Sequence, residues 1–172
     1  ACVTNIHTGK AEYLEVPRDD EKFQVLVASC ALPILFQPVK VGKRYYLDGG
    51  VSDSIPYKHA MEEGCDKNIV VLTRERGYIK KSERAGRISI KLYKNYPNIA
   101  EDLRTRPQRY NDCMKELLDK EKSGEVFVIA PETTYGIGRT ESDPGKLTKL
   151  YEEGYRQAMR QMADLKQYLG RA

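Results

Sequence analysis

Asp48 stands at the end of Arg44-Tyr45-Tyr46-Leu47, and Gly49 and Gly50 follow it directly. A carboxylate leaving a strand onto two glycines sits at a turn where no side chain screens it. Glycine also opens backbone angles that are closed to other residues. Such a carboxylate can accept backbone N–H bonds, which keep it ionised, and still face a cleft. It can then take a proton from a nucleophilic hydroxyl. The same residues also suit a local role in which Asp48 only closes the turn through an Asx-type bond, and on spacing alone that role is the simpler one.

Other polar residues group less well. Ser29 falls in an apolar helical run between Ala28 and Cys30. It lacks the strained turn that exposes a nucleophile, so it reads as a packing or helix-contact residue. Ser52 and Ser54 read as caps for a helix beginning near Pro56. Asp53 is a second acid near Asp48, and paired carboxylates can divide acid and base roles, but its position suits a cap or solvent. His7 lies at a predicted hairpin turn and His59 on the helix after the acid, as an exposed residue; a Ser-His-Asp triad would need one of them beside a serine. His7-Thr8-Gly9-Lys10 lacks the spacing of a phosphate loop. The four cysteines, at 2, 30, 65 and 113, are too widely spaced for a metal knuckle or redox pair. No metal site and no cofactor are expected.

The elements that must position Asp48 follow from the pattern of apolar residues. Cys2–Ile6 and Ala11–Val16 read as a β-hairpin. Asp19-Asp20 can cap a helix carrying Phe23, Val25, Leu26, Val27 and Leu32, with Cys30 in its core face and Pro33 at its end. Val39–Val41 and Arg44–Leu47 read as short strands around Gly42-Lys43. A helix runs from Pro56 to about Glu63, where Pro suits the first turn. Asn68–Thr73 is apolar enough to predict a strand buried on both faces. Strand, helix, strand at this spacing predicts a βαβ crossover with parallel pairing. Residues 85–95 and 98–122 read as helices, the second interrupted near Pro107, and Glu125–Ala130 as a strand. In the final helix, Lys146 to about Leu169, the recurring Leu147, Leu150, Tyr151, Tyr155, Ala158, Met162, Leu165 and Leu169 predict a core-facing stripe.

The chain has 172 residues, 40% hydrophobic and 31% charged, with net charge +4. These values describe a globular protein with room for a core and exclude disorder. No stretch approaches the roughly eighteen apolar residues of a membrane span, and no signal sequence opens the chain. A reduced, cytosolic compartment is the simpler reading of the cysteines. A start inside a hairpin, without Met, suggests a chain cut from something longer. Residues 74–94 hold eight basic against two acidic side chains, an excess of six, so the remainder sums to −2. Such a segment can attract an anionic membrane or nucleic acid, but a solvated loop and helix face is the simpler reading. It lacks the interleaved aromatics and the motifs of a nucleic-acid binder, so no nucleic acid is expected.

Residues Ala28, Ser29, Ala31, Pro33, Phe36, Pro38, Asp48, Gly49 and Gly50 together resemble the second catalytic block of the patatin-like acyl hydrolases. Ser54-Ile55-Pro56, the strand ending at Arg74, Tyr96-Pro97, Arg106, Tyr110-Asn111, Pro131 and the terminal helix also fit. The chain is similar to the smaller bacterial members with a C-terminal helical extension. The resemblance implies an α/β fold, with a partly parallel sheet flanked by helices over 1–75 and a mainly helical extension with one short strand over 76–172. It implies hydrolysis of a lipid or other acyl ester by a Ser-Asp dyad, without histidine or Ca²⁺, in which Asp48 partners the serine and Gly49 and Gly50 support it. The serine should lie in a G-x-S-x-G elbow, and a Gly-rich loop should supply oxyanion donors. Neither occurs here; Gly50-Val51-Ser52-Asp53-Ser54 fails at its last position. The chain is therefore expected to be the C-terminal part of such an enzyme and inactive alone, with an uncovered sheet edge or apolar face prone to self-association. The alternative is a non-catalytic binding or regulatory module that docks on anionic surfaces through residues 74–94.

Overall fold

In a computed structural model of the chain, residues 1–19, 21–81, 88, 91–138 and 140–170 are described. Two compact units divide them, and neither is continuous in sequence. The first comprises Ala1–Pro56 and Lys80–Asp112, the second Tyr57–Ile79 and Cys113–Ala172. Mixed α/β structure is present in both.

The first unit is built on a four-stranded sheet in the order β2-β1-β4-β3, where β1 is Cys2–Asn5, β2 Ala11–Tyr13, β3 Val39–Val41 and β4 Arg44–Asp48. Every pairing in it is antiparallel, and β1 sets Val3 opposite Asp48, Thr4 opposite Leu47 and Asn5 opposite Tyr46. Helix α1, Gln24–Ser29, turns Val25 and Ala28 inward; Ala28 joins Val3 and Tyr46 in one cluster. On the other side, Ile6 and Leu47 pack with Tyr93 and Ile99, flanked by Tyr96 and Leu103. Ile99 and Leu103 come from α3, Pro97–Ser123.

The second unit holds a two-stranded parallel sheet of β5, Asn68–Val71, and β6, Val126–Ile129. Around it lie α2, Tyr57–Glu62, the part of α3 from Cys113 onward, α4, Pro144–Arg160, and α5, Met162–Tyr168. Leu117, Val126 and Val128 are buried. The Tyr168 hydroxyl receives the Asn68 N–H at 3.0 Å and donates to the Glu125 carbonyl at 3.0 Å, which ties α5 to the start of both strands. Asp143 caps α4 by accepting the Lys146 N–H at 3.0 Å, with Pro144 in the first turn.

Several expectations are corrected. No βαβ unit joins β4 to β5: both edges of β4 are taken by β1 and β3, and β5 pairs with β6 instead. β5 is buried on one face only, since Ile69 and Val71 are exposed. Pro107 lies inside an unbroken α3. Its missing N–H deprives the Leu103 carbonyl of an intrahelical donor, yet the helix continues. Helix α1 begins later than expected, after Phe23 at φ 50° with no side-chain cap, so Asp19 is too far ahead to serve. It also ends at Ser29, which leaves Cys30 beyond the last turn and exposed rather than in the core. The stripe on the final helix is only partly inward: the helix breaks at Gln161, Leu147, Tyr151 and Tyr155 are exposed, and Leu150, Ala158, Met162, Leu165 and Leu169 are half-buried. The inward residues of α4 are Glu153 and Gln157, because Glu153 Oε1 is satisfied there by the Glu132 N–H and the Gln157 amide. Of the helix expected over 85–95, residues 85–87, 89 and 90 lie outside the described residues; 88, 91 and 92 are helical and 93–95 form a turn.

Candidate active site

Asp48 is the last residue of β4 and the N-cap of a 3₁₀ turn, Gly49–Val51. Its backbone is held at both ends. The Asp48 N–H donates to the Ala31 carbonyl at 3.0 Å, and the Asp48 carbonyl accepts the buried Thr4 hydroxyl at 2.8 Å. Oδ1 accepts the Gly50 N–H at 2.6 Å. Oδ2 has no hydrogen-bond partner among the described residues, and the residue is only half-buried. Oδ1 thus closes the Asx-type turn, and Oδ2 takes no part in it.

The two glycines are required for different reasons. A Cβ on Gly49 would stand 2.3 Å from the Cys2 carbonyl oxygen, inside the neighbouring strand. A Cβ on Gly50 would stand 2.9 Å from Asp48 Oδ1 and 3.2 Å from Arg106 Nη2. The first glycine thus lets the turn lie on β1; the second leaves the carboxylate its place.

The serines near the turn do not cap α2. Ser52 Oγ lies 2.8 Å from Thr4 Oγ1, and Ser54 Oγ donates to the Gly50 carbonyl at 2.8 Å. Asp53 accepts the Ile55 N–H and the Tyr13 hydroxyl, the latter at 2.6 Å. Both of its carboxylate oxygens are thus occupied by donors. Ser29 donates to the Cys2 carbonyl at 2.7 Å, as a helix-contact residue should. His7 packs its ring against Tyr96, 5.7 Å between centroids, at the exposed hairpin turn. His59 belongs to the second unit and lies near Glu62 and Glu63. Cys2 is the thiol nearest the turn. Burial, reinforced by Asp53 and Asp48, pushes it up to about 12, so it stays protonated and is no substitute nucleophile. No group of three His, Cys, Asp or Glu among the described residues is placed to hold a metal.

Three contributors were invisible to local sequence reading. Thr4 receives no hint from its neighbours, since its partners Asp48 and Ser52 lie far along the chain. Arg106 and Arg109 reach the turn from α3. Arg106 Nε donates to the Gly50 carbonyl, and Arg109 donates to the carbonyls of Val51 at 2.9 Å and Ser52 at 3.0 Å. Asp102 braces Arg109 at 3.2 Å. The only signal was the fit of Arg106 to the family's tail.

The basic segment is partly committed to internal bonds. Arg74 donates to the Ile137 carbonyl at 3.1 Å, and Arg76 pairs with Glu121 at 2.8 Å and donates to the Val128 carbonyl. Lys81, Lys91 and Lys94 are exposed, and Arg84 and Arg87 lie outside the described residues.

With this geometry in place, residues 10–61 match a family model described as patatin-like phospholipase, and the matched span contains Asp48 and its turn. The match supports a lipid-hydrolase family for that part of the chain. A second model, described as a domain of unknown function (DUF6363), matches residues 96–170. No curated protein matches the chain. No helix among the described residues is long and apolar enough to cross a membrane.

Proposed function

We propose that this chain supplies the acid of a Ser-Asp dyad in a patatin-like acyl hydrolase. The observation that carries the proposal is the Asp48 carboxylate, anchored through Oδ1 and open at Oδ2. In this reading a serine hydroxyl gives its proton to Asp48 as its oxygen attacks the ester carbonyl. The alcohol leaves with that proton, and an acyl-serine remains. Water then repeats the sequence and releases the acid. The substrate is a lipid or simpler acyl ester, and no metal ion takes part.

The serine and the oxyanion donors belong to a segment ahead of Ala1, because no G-x-S-x-G is present in the sequence. The apolar side chains of α1 and the loop after it fit that reading. Phe23 just ahead of the helix, Leu26 and Val27 on it, and Leu35 and Phe36 after it are all exposed, side chains that a preceding segment would cover. Docking on an anionic surface without catalysis draws less support, since Arg74 and Arg76 are engaged within their own unit.

The test joins the chain to the residues its gene encodes ahead of Ala1 and assays a chromogenic acyl ester. Hydrolysis should be lost in Asp48→Asn and retained in Asp53→Asn. Undiminished turnover in Asp48→Asn sinks the assignment.

A further inference from the structure

The segment matched only as a domain of unknown function contains the helix that holds the Asp48 turn. Gly50 is the hinge of this arrangement. Its N–H donates to Asp48 Oδ1 at 2.6 Å. Its carbonyl accepts Arg106 Nε from α3 and the Ser54 hydroxyl at 2.8 Å. The next two carbonyls, of Val51 and Ser52, are taken by Arg109. Two arginines spaced three apart lie on one face of a helix, so a single turn of α3 covers three successive carbonyls. Arg109 is itself fixed: it donates to the Asp102 carbonyl at 3.0 Å and pairs with the Asp102 carboxylate at 3.2 Å. Asp102 lies over the Gly9 turn, where a Cβ on Gly9 would come within 2.7 Å of its Oδ2. Asn98, one turn earlier, donates to the His7 carbonyl at 2.9 Å. The start of α3 is therefore docked on the β1–β2 hairpin, and from that base it reaches the turn after β4.

We infer that Arg106, seconded by Arg109, is a positioning residue for Asp48. It locks the Gly50 peptide groups in the orientation that keeps Oδ1 bound and leaves Oδ2 out of the turn. A charged donor on a carbonyl is a strong hydrogen bond, and guanidinium geometry cannot be reproduced by a lysine. Arg106 Nη2 also comes within 3.2 Å of the place a Gly50 side chain would fill, beside Asp48 Oδ1. The segment matched over 96–170 thus has a positioning task at its front end, whatever its remainder does. The consequence for turnover rests on the hydrolase reading above; the structural role does not.

The test has two arms. The first uses the 172-residue chain and amide exchange measured by NMR. In the wild-type chain the Gly50 N–H and the Arg106 Nε–H should both exchange slowly. Arg106→Met, which keeps the apolar stem and removes every donor, should speed Gly50 exchange at least tenfold while the β1–β4 amides keep their protection. Rapid exchange at Arg106 Nε–H in the wild type overturns the inference even if the variant fails to fold. So does unchanged Gly50 exchange in a folded variant. The second arm measures ester hydrolysis in the protein extended ahead of Ala1. There Arg106→Met should lower kcat at least tenfold with KM within twofold, and Arg106→Lys should recover only part of it. A raised KM at unchanged kcat would make Arg106 a substrate-binding group and refute the positioning role. Absence of hydrolysis in the wild type would count against the hydrolase reading alone, and the exchange arm would still decide the clamp.

Discussion

At the scale of single residues, the two glycines after Asp48 make separable predictions. In Gly49→Ala the new methyl meets the Cys2 carbonyl oxygen and carbon at 2.3 and 2.6 Å, backbone atoms that cannot swing aside. Thermal melting should show a loss of stability of about 1–3 kcal/mol. In Gly50→Ala the close atoms are the ends of two side chains, Asp48 and Arg106, which can move. That variant should melt near the wild type yet hydrolyse an ester at least tenfold more slowly, because the carboxylate is displaced. A Gly50→Ala protein with full activity would show that the placement of Asp48 does not matter. The sequence announced an acid followed by unscreened backbone. It was silent on which neighbour excludes each Cβ, because Cys2 and Arg106 reach the turn through tertiary contacts.

At the scale of elements, the hairpin β1–β2 and strand β4 share one hub, Glu12. Its carboxylate accepts Asn5 Nδ2 at 2.8 Å, the Tyr46 hydroxyl at 2.8 Å and Arg44 Nη1 at 3.0 Å. Partial burial works to raise Glu12, but the bonds from Tyr46, Asn5 and Arg44 outweigh it and hold the group below its ordinary 4.5. A depressed folded-state value means that the contribution is complete above the unfolded value and lost as pH falls through the folded one. Urea titrations from pH 7 down to pH 3 should show stability declining below about 4.5, the unfolded-state reference, and Glu12→Gln should flatten that decline. An identical pH dependence in both proteins would remove Glu12 from the account. The hairpin and both strands flanking Gly42 were legible because alternation and turn residues are local signals. The partner of β5 was not, since both edges of β4 were already filled. The face of α4 was misread for a related reason. Apolar spacing pointed to Tyr151 and Tyr155, but backbone donors near Glu132 satisfy buried Glu153, and that local bonding set the helix rotation.

At the scale of the whole molecule, the first unit holds an antiparallel sheet with an acid turn at the end of an inner strand and an uncovered apolar helix face. The 172-residue chain should therefore self-associate, with an apparent mass in size-exclusion chromatography that rises with concentration. Leu26→Ser and Phe36→Ser, both at exposed positions, should reduce that rise; a concentration-independent monomer would contradict it. The mixed α/β class could be read from the alternation of short strands and helices. The division into two interleaved units could not, because residues 57–79 leave the first unit, residues 80–112 return to it and the chain leaves it again from Cys113. The most direct check on the account is the rate at which a fluorophosphonate modifies the serine of the protein extended ahead of Ala1. Rapid labelling of one serine is expected in the wild type, and labelling slowed by about 10⁴-fold in a folded Asp48→Asn variant. Equal labelling rates in the two proteins would contradict the dyad.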